Sequence, residues 1–561
     1  MMAEAAEMNG PKKRYVIIGG VAGGMSAATR LRRLDPIADI VVFEKSGFVS
    51  YANCGLPYLV GGVITDEDRI LLQTPESLGL RFNIEVNVGT EVLRIDRDAK
   101  KIEVREKSSS KEAVRVEPYD YLIISTGASP ARPPIEGLDG ALTLRNVEDA
   151  REMMAAIVPS TKHAVVIGGG FIGLEVAENL LHRNLKVTIV EAADHLLPPL
   201  DIEMVAPLER AARKLGVEVL TSTSVEKIDH KKKLVTLSNG RDLQFDLVVA
   251  SAGVRPNAKL AADAGLKIGT LGGIVVDEDL RTSDPSIFAV GDVIEKSDFF
   301  DESDSLIPLA NVANRQGRRA ADVIVLGHKG GAKVAIGTAI ISAFGVTIAS
   351  TGWSERKLVS RQIAHEVIHS HPNSHATYYP GAKEMAIKVL YRPTGELLGA
   401  QIIGSDGVDK RIDVLATAIG NGMKVNELAE LELAYAPQFG SAKDPINLIG
   451  YIGENRLMHG AQAVYFNQIE DLIEEGKELI DVRTPAEFSA GTIPGSKNIP
   501  LDEIFERLDE IETSDPIVFC KVGQRGHNAA MFLNGLGIKA RNLDGGITTY
   551  NDFLEVTRGR G

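Results

Sequence analysis

Twice in this chain a run of β-branched residues ends in a glycine loop, passes into a helix, and is followed about 20 residues later by a second such run closed by an acid. In the first copy Tyr15-Val16-Ile17-Ile18 leads into Gly19, Gly20, Ala22, Gly23 and Gly24. A helix is predicted as far as Leu34, and the next strand ends at Glu44, beside Lys45. In the second copy Ala164-Val165-Val166-Ile167 leads into Gly168, Gly170 and Gly173, a helix through Leu181, and a strand closing on Glu191. Backbone N–H groups at such a helix start hold a pyrophosphate, and the carboxylate takes ribose hydroxyls. The first loop departs from the G-x-G-x-x-G spacing, with Val21 at the middle glycine position. One match of this kind is weak, but two in one chain are improbable by chance and call for two parallel α/β nucleotide-binding folds. Ala192 and Ala193 follow Glu191 where an arginine would meet a 2′-phosphate, which favours NADH over NADPH and leaves NADPH open.

At 561 residues the chain has room for roughly three to five domains. Its net charge of −14 argues against nucleic acid as the main partner, since phosphate binding needs a basic face. Two cysteines make no disulfide framework, and a reducing, cytoplasmic setting is expected. Met1 to Arg14 shows no apolar signal segment. The most apolar stretch, Val334 to Trp353, is broken by Gly337, Gly345 and Gly352 and reads as strands, so no membrane partner is expected.

Between the copies, Tyr119 to Ala128 is a strand entering a small-residue turn at Thr126 and Gly127, and Phe245 to Gly253 repeats that shape. Thr282 to Asp292 is a strand that ends in Gly291-Asp292. In this order the segments resemble the two-dinucleotide-binding disulfide oxidoreductases. That resemblance implies FAD on the first fold and a nicotinamide on the second, with Asp292 on the flavin ribityl chain and Ala310 also at the flavin. It divides the chain into FAD-binding residues 12–160 and 281–334, an NAD(P)H-binding domain at 161–280, and an α+β dimerisation domain at 335–450. A homodimer follows from the last of these. Residues 451–463, rich in glycine and polar residues without strong periodicity, read as a linker.

The stretch Phe48 to Tyr58 carries Cys54 close behind the first glycine loop, with no second cysteine nearby. A lone thiol there cannot cycle an internal disulfide. It must form a mixed disulfide, a persulfide or a sulfenic acid. A helix end and an electron-poor flavin ring are expected to lower its pKa. The pattern Ser50-x-x-Asn53-Cys54-Gly55-Leu56-Pro57-Tyr58 resembles coenzyme A-disulfide reductases and their persulfide- and polysulfide-reducing relatives. By that resemblance Tyr378 and Tyr435 serve the redox cysteine of the other subunit, and Ser26, Arg30, Arg33, Ser50, Asn53 and Lys443 face coenzyme A. Arg30 and Arg33 share a helical face, and guanidinium forks suit phosphates. A family lysine after Arg81 is Phe82 here. The rival is an NADH peroxidase or oxidase cycling a sulfenic acid; such enzymes carry a histidine where this chain has Ala22. A redox-sensing sulfur-binding module is the alternative from another class.

Cys520 follows the strand-like Pro516 to Phe519 and opens Cys-x-x-x-x-Arg, ending at Arg525, with a helix expected from Asn528 to about Leu533. Successive N–H groups in such a loop cradle an anionic sulfur. Residues 464–561 resemble a rhodanese domain, which makes Cys520 a carrier of sulfane sulfur and Arg525 an element of loop architecture and anion attraction. His365, His369, His371 and His375 cluster beside Glu366 without a zinc-site spacing; no metal is expected, and an interface loop is the predicted location. The fold class is therefore α/β: two Rossmann-like domains, an α+β dimerisation domain and a C-terminal rhodanese α/β domain.

Overall fold

The computed structural model describes residues 12–107, 114–331 and 333–558. The first eleven residues, part of the segment read as lacking a signal sequence, lie outside them. The chain forms two compact units. One runs to Ala192 and resumes at Thr223–Gly337; the other joins Ala193–Ser222 to the chain from Thr338 onward.

In the first unit the strands Ile287–Ala289, Tyr121–Ile124, Arg14–Ile18, Asp39–Phe43 and Glu85–Asn87 form one sheet in that order, all neighbours parallel. The runs around Val16 and Val41 are apolar at every position because both faces of such a sheet are covered. The helix Ala22–Leu34 lies against the helix Ala310–Leu326, so close that a Cβ at Gly317 would stand 2.0 Å from the Gly23 carbonyl oxygen. A second parallel set pairs His163–Ile167 with Lys186–Val190 and with Leu247–Ala250.

In the second unit an antiparallel sheet runs in the order Ala339–Ala343, Val346–Gly352, Leu397–Gly404, Met385–Tyr391, Glu366–Ser370. The apolar stretch before Trp353 is thus strands, as expected. Among the described residues no helix is long and apolar enough to cross a membrane. A separate parallel sheet follows: Ala463–Val464, Arg541–Leu543, Ile517–Phe519, Leu479–Asp481, Lys497–Asn498. Strand alternation sends Ile517 and Phe519 into one apolar layer, and Val518 and Cys520 into the other.

Two expectations are corrected. Most of the segment read as a linker, residues 451–463, belongs to the helix Pro445–His459. Asp444 and Asn447 form its capping box, and Gly460 closes it in a left-handed conformation. Its periodicity is weak in sequence because glycines are part of its packed face. A Cβ at Gly450 would lie 2.1 Å from the Ala429 nitrogen, and one at Gly453 2.7 Å from Val425. Of the four histidines, His365, His371 and His375 lie in loops, but His369 does not. His369 is buried in the strand Glu366–Ser370, and His375 is buried beyond it.

His369 donates from Nδ1 to Asp544 at 2.7 Å and from Nε2 to Glu203 at 3.1 Å. Glu203, Asp201 and Glu355 surround the buried ammonium of Lys388, which occupies the space a cation would need among these carboxylates. Burial alone would lower the pKa of His369. Its bonds to Asp544 and Glu203 outweigh that and hold it at about 9, while Lys388 opposes them. Arg456, bound to the far oxygen of Asp544, completes the charged surroundings, while His371 is held neutral, its pKa pushed down to about 3 by burial and then by the charge of His369. A folded-state pKa above the unfolded value means the protonated ring stabilises the fold fully below about 6.5 and loses that effect as pH rises through about 9. The difference in urea midpoint between wild type and His369→Gln should therefore be largest near pH 6 and shrink toward pH 10. A pH-independent difference would remove the imidazolium from this account.

Candidate active site

Both glycine loops share one geometry. Gly19 and Gly168 each have φ of +103°, and a Cβ at Gly24 or Gly173 would lie 1.9 or 2.0 Å from their respective carbonyl oxygens. Only glycine lets the helix start so near the strand end. Glu44 accepts the Gly20 N–H at 2.8 Å, and Glu191 accepts the Gly169 N–H at 2.7 Å, so each acid stands at the mouth of its loop. Lys45 is exposed beside Glu44. Thr126 Oγ1 donates to the Asn257 carbonyl at 3.0 Å, and Gly127 turns the chain at φ +64°. Ala310 opens the helix that packs on the first loop's helix. The Gly291 N–H donates to Gln316 at 3.0 Å. Next to it, Asp292 Oδ2 accepts Arg145 at 3.3 Å, while Oδ1 is buried with no hydrogen-bond partner. A buried carboxylate oxygen lacking a donor fits a hydroxyl-bearing chain such as the flavin's ribityl group. These residues fit FAD at the first loop and a nicotinamide dinucleotide at the second.

Cys54 sits in the short turn Asn53–Gly55 before the helix Leu56–Gly61, with its side chain exposed. Ser50, left-handed at φ +47°, donates its N–H to the Gly20 carbonyl at 2.8 Å and ties this segment to the first loop. Asn53 donates to the Arg145 carbonyl at 3.4 Å. The expected lowering of the thiol pKa is not what the protein groups produce. Desolvation first, then the Glu175 carboxylate, push the Cys54 thiol up, and Arg145 pulls it down. Glu175 itself is pushed up to about 7, mainly by burial, and accepts a bond from Tyr58 at 3.4 Å.

Of the residues expected to face coenzyme A, Ser26, Arg30 and Arg33 lie on the helix Ala22–Leu34. Ser26 donates to Asn314 at 2.9 Å, and Arg30 is already paired with Asp322 at 2.6 Å. Arg33 is exposed. Arg32 donates to the carbonyls of Phe82, Pro36, Ala38 and Asn83, which makes it a structural clasp. In the second unit Tyr378 and Tyr435 are brought together, hydroxyl to hydroxyl at 2.7 Å, both exposed. Lys443 is exposed beside the buried Asp444.

Cys520 is fully buried, at the end of the strand Ile517–Phe519. The helix after it begins at Gln524, earlier than expected, so Arg525 lies in its first turn. Arg525 makes two bonds to Glu487, at 2.8 and 2.6 Å, and its charge also faces Cys520. Hydrogen bonding from Arg525 holds Glu487 at about 2. Arg483 and Glu487 line a cavity of about 290 Å³ that Gly491, Thr492 and Asn551 complete.

Residues 13–317 match the pyridine nucleotide-disulphide oxidoreductase family, and residues 338–444 match that family's dimerisation domain. The chain belongs to the pyridine nucleotide-disulphide oxidoreductase family. Residues 466–552 match the rhodanese-like domain. Among curated proteins, an NADH oxidase of Methanocaldococcus jannaschii is 35% identical over 440 residues, covering 78% of this chain and 97% of that protein. Coenzyme A disulfide reductase of Staphylococcus aureus is 34% identical over the same length, covering 78% and 99%. Among solved structures, reduced CoADR-RHD of Bacillus anthracis is 42% identical, with a TM-score of 0.95, covering 97% of this chain and 99% of that one. An NAD-dependent persulfide reductase from A. fulgidus is 36% identical, with a TM-score of 0.89, covering 96% and 100%. This member of the family is thus a flavoprotein reductase joined to a rhodanese-like domain.

Sequence reasoning passed over three residues that this family member gathers near Cys54. Arg145 lies in no motif, 91 positions downstream, so nothing local marks it. Tyr58 belongs to the cysteine motif, but its partner Glu175 comes from the helix of the second glycine loop. The position of Glu175, just past Gly173, was the one available signal. Because ionised Glu175 opposes the thiolate, Glu175→Gln should lower the Cys54 pKa and move the pH profile of its alkylation by iodoacetamide to lower pH. A profile unchanged or moved to higher pH would contradict this assignment.

Proposed function

We propose that the chain reduces coenzyme A disulfide, coenzyme A persulfide or polysulfide with NADH through Cys54, and carries sulfane sulfur on Cys520. The observation that supports it best is the solitary thiol. Cys54 lies in electrostatic contact with Asp292 and Arg145 of the flavin-type site, and the chain's only other cysteine is that of the rhodanese-like domain. A single thiol exchanges with an outside sulfur. The Cys54 thiolate attacks one sulfur of an external disulfide; the other sulfur leaves with the bonding pair and takes a proton. Two electrons then cleave the mixed disulfide, restoring the Cys54 thiolate and releasing the second sulfur as a thiolate that takes a proton. FAD and a nicotinamide would supply those electrons when bound; Glu44 and Asp292 are the residues that would hold the flavin dinucleotide, and Glu191 the nicotinamide one.

Arg145 favours the thiolate, and Asn53 fixes the turn on the Arg145 backbone. Tyr378 and Tyr435, bonded to one another, offer a phenol proton to a leaving thiolate in a homodimer, where the partner subunit's redox cysteine would meet them. NADH is favoured because Glu191 would repel a 2′-phosphate. Coenzyme A is supported by cations along one helix face. Arg315, Arg318 and Arg319 line a cleft of about 250 Å³ next to Asp322, the partner of Arg30. Similarity to the S. aureus coenzyme A disulfide reductase and the A. fulgidus persulfide reductase points the same way.

The reading is tested by NADH oxidation with the three sulfur substrates compared through kcat/KM. Cys54→Ser should abolish all three activities, and retained turnover would defeat the proposal. Cys520→Ser should leave coenzyme A disulfide reduction intact and weaken turnover fed by a sulfane-sulfur donor. Consumption of NADH with oxygen alone, at rates matching those with the sulfur substrates, would favour the oxidase alternative.

A further inference from the structure

The turn that backs the Cys520 loop is Asp544-Gly545-Gly546-Ile547-Thr548. The Ile547 N–H donates to the Cys520 carbonyl at 2.9 Å, and the Thr548 N–H to that of Lys521 at 3.0 Å. Two successive left-handed glycines, Gly545 at φ +69° and Gly546 at φ +64°, bring the chain this close; a Cβ at Gly546 would stand 2.5 Å from the Cys520 oxygen. The turn cannot shift without moving the backbone of the thiol.

What anchors the turn comes from outside the rhodanese-like residues. Asp544 is buried and accepts three donors: the N–H and Nδ1 of His369, at 2.8 and 2.7 Å, and the guanidinium of Arg456. A Cβ on Gly545 would meet the Cβ of His369 at 2.8 Å, so the two backbones are in contact. One turn on, His371 Nε2 meets Thr549 Oγ1 at 2.7 Å. On the other side of the loop, Lys521, the residue after the thiol, is paired with Glu384 at 3.3 Å, and Asn455 donates to His527 at 2.9 Å. His369, His371 and Glu384 belong to the segment matching the dimerisation domain, and Asn455 and Arg456 to the helix that follows it.

Resting on the reading of Cys520 as a carrier of sulfane sulfur, we propose that the sulfur-transfer site at Cys520 is completed by residues outside its own domain: His369 and Arg456 as positioning residues that fix Asp544 and the turn behind the thiol, and Glu384 as a specificity residue that sets the charge Lys521 presents to sulfur donors. The chemistry it governs is closed in atoms and electrons. The Cys520 thiolate attacks the outer sulfur of thiosulfate, the sulfur–sulfur bond breaks with its pair on the departing sulfite, and a cysteine persulfide remains. Cyanide then takes that sulfur as thiocyanate and returns the thiolate. A dianionic donor is drawn by Lys521 and discouraged by Glu384, whereas a donor of lower charge is discouraged less.

The test uses the full-length holoenzyme with thiosulfate as donor and cyanide as acceptor. Glu384→Gln should lower the KM for thiosulfate by up to about fivefold at low ionic strength, the range of an exposed ion pair, and the gain should vanish near 1 M salt. NADH-linked reduction of coenzyme A disulfide should change by less than about twofold, again within the range of an exposed pair. A purely structural contact would not improve a substrate's KM when broken. His369→Gln and His369→Ala should reduce sulfurtransferase kcat, the alanine variant more, while leaving the KM for thiosulfate unchanged, a split that a general loss of folding would not produce. An unchanged or raised KM in Glu384→Gln overturns the proposal, whether or not the His369 variants fold.

Discussion

The nucleotide-binding half of this protein depends on a carbonyl oxygen lying against a bare α-carbon. In both loops the oxygen of the first glycine stands where any side chain five residues later would collide with it. That contact lets the helix begin directly at the strand end and aims its unpaired N–H groups past the sheet, where an anion is held. The acids of the neighbouring strands are then set by sheet register rather than by local sequence, and Glu44 and Glu191 end up bonded to equivalent backbone N–H groups. The middle glycine is under less demand. At Gly170 a Cβ would find nothing within 4 Å, and in the first loop the same place is filled by Val21 at the helix cap. The one departure from the motif therefore falls where the geometry tolerates it.

The parts of the protein legible in its sequence are those whose physics is local. Strand runs, glycine loops, the acid after each second strand and the cysteine turns all declare themselves within a few tens of residues. The helix Pro445–His459 was hidden because its buried face includes Gly450 and Gly453, which no hydrophobic count registers. His369 was misplaced for the opposite reason. A histidine in a strand looks polar and exposable until partners distant in sequence, Glu203 and Asp544, enclose it in charge. Arg145 and Glu175 reach Cys54 from two further segments, and only the assembled fold reveals that one favours and the other opposes its ionisation.

That opposition gives the solitary thiol a particular character. A cysteine with a partner is protected by its own disulfide, whereas Cys54 has no partner cysteine and is exposed. Desolvation and Glu175 keep it protonated more than an ordinary thiol, which limits adventitious oxidation, since the thiolate is the reactive form. Reactivity must then be supplied by what occupies the neighbouring sites, and Glu175, near neutral in pKa, is placed to respond to it.

Buried ion pairs contribute little net stability, because desolvation offsets most of their attraction, yet removing one partner costs about 3–5 kcal/mol. The second unit nevertheless buries Lys388, Glu203, His369, Asp544 and Arg456 in one connected series. An apolar cluster of the same volume would hold the two sheets of this unit together equally well, but it would leave their relative setting loose, since apolar contacts have no direction. Hydrogen-bonded charges do have direction. Each carboxylate here is shared by two cations, so a shift of the rhodanese-like sheet by a fraction of an ångström would unpair a buried charge. The network is best understood as fixing the position of Asp544, and through the paired glycines that follow it the backbone of Cys520, at an energetic cost that simple adhesion would not require.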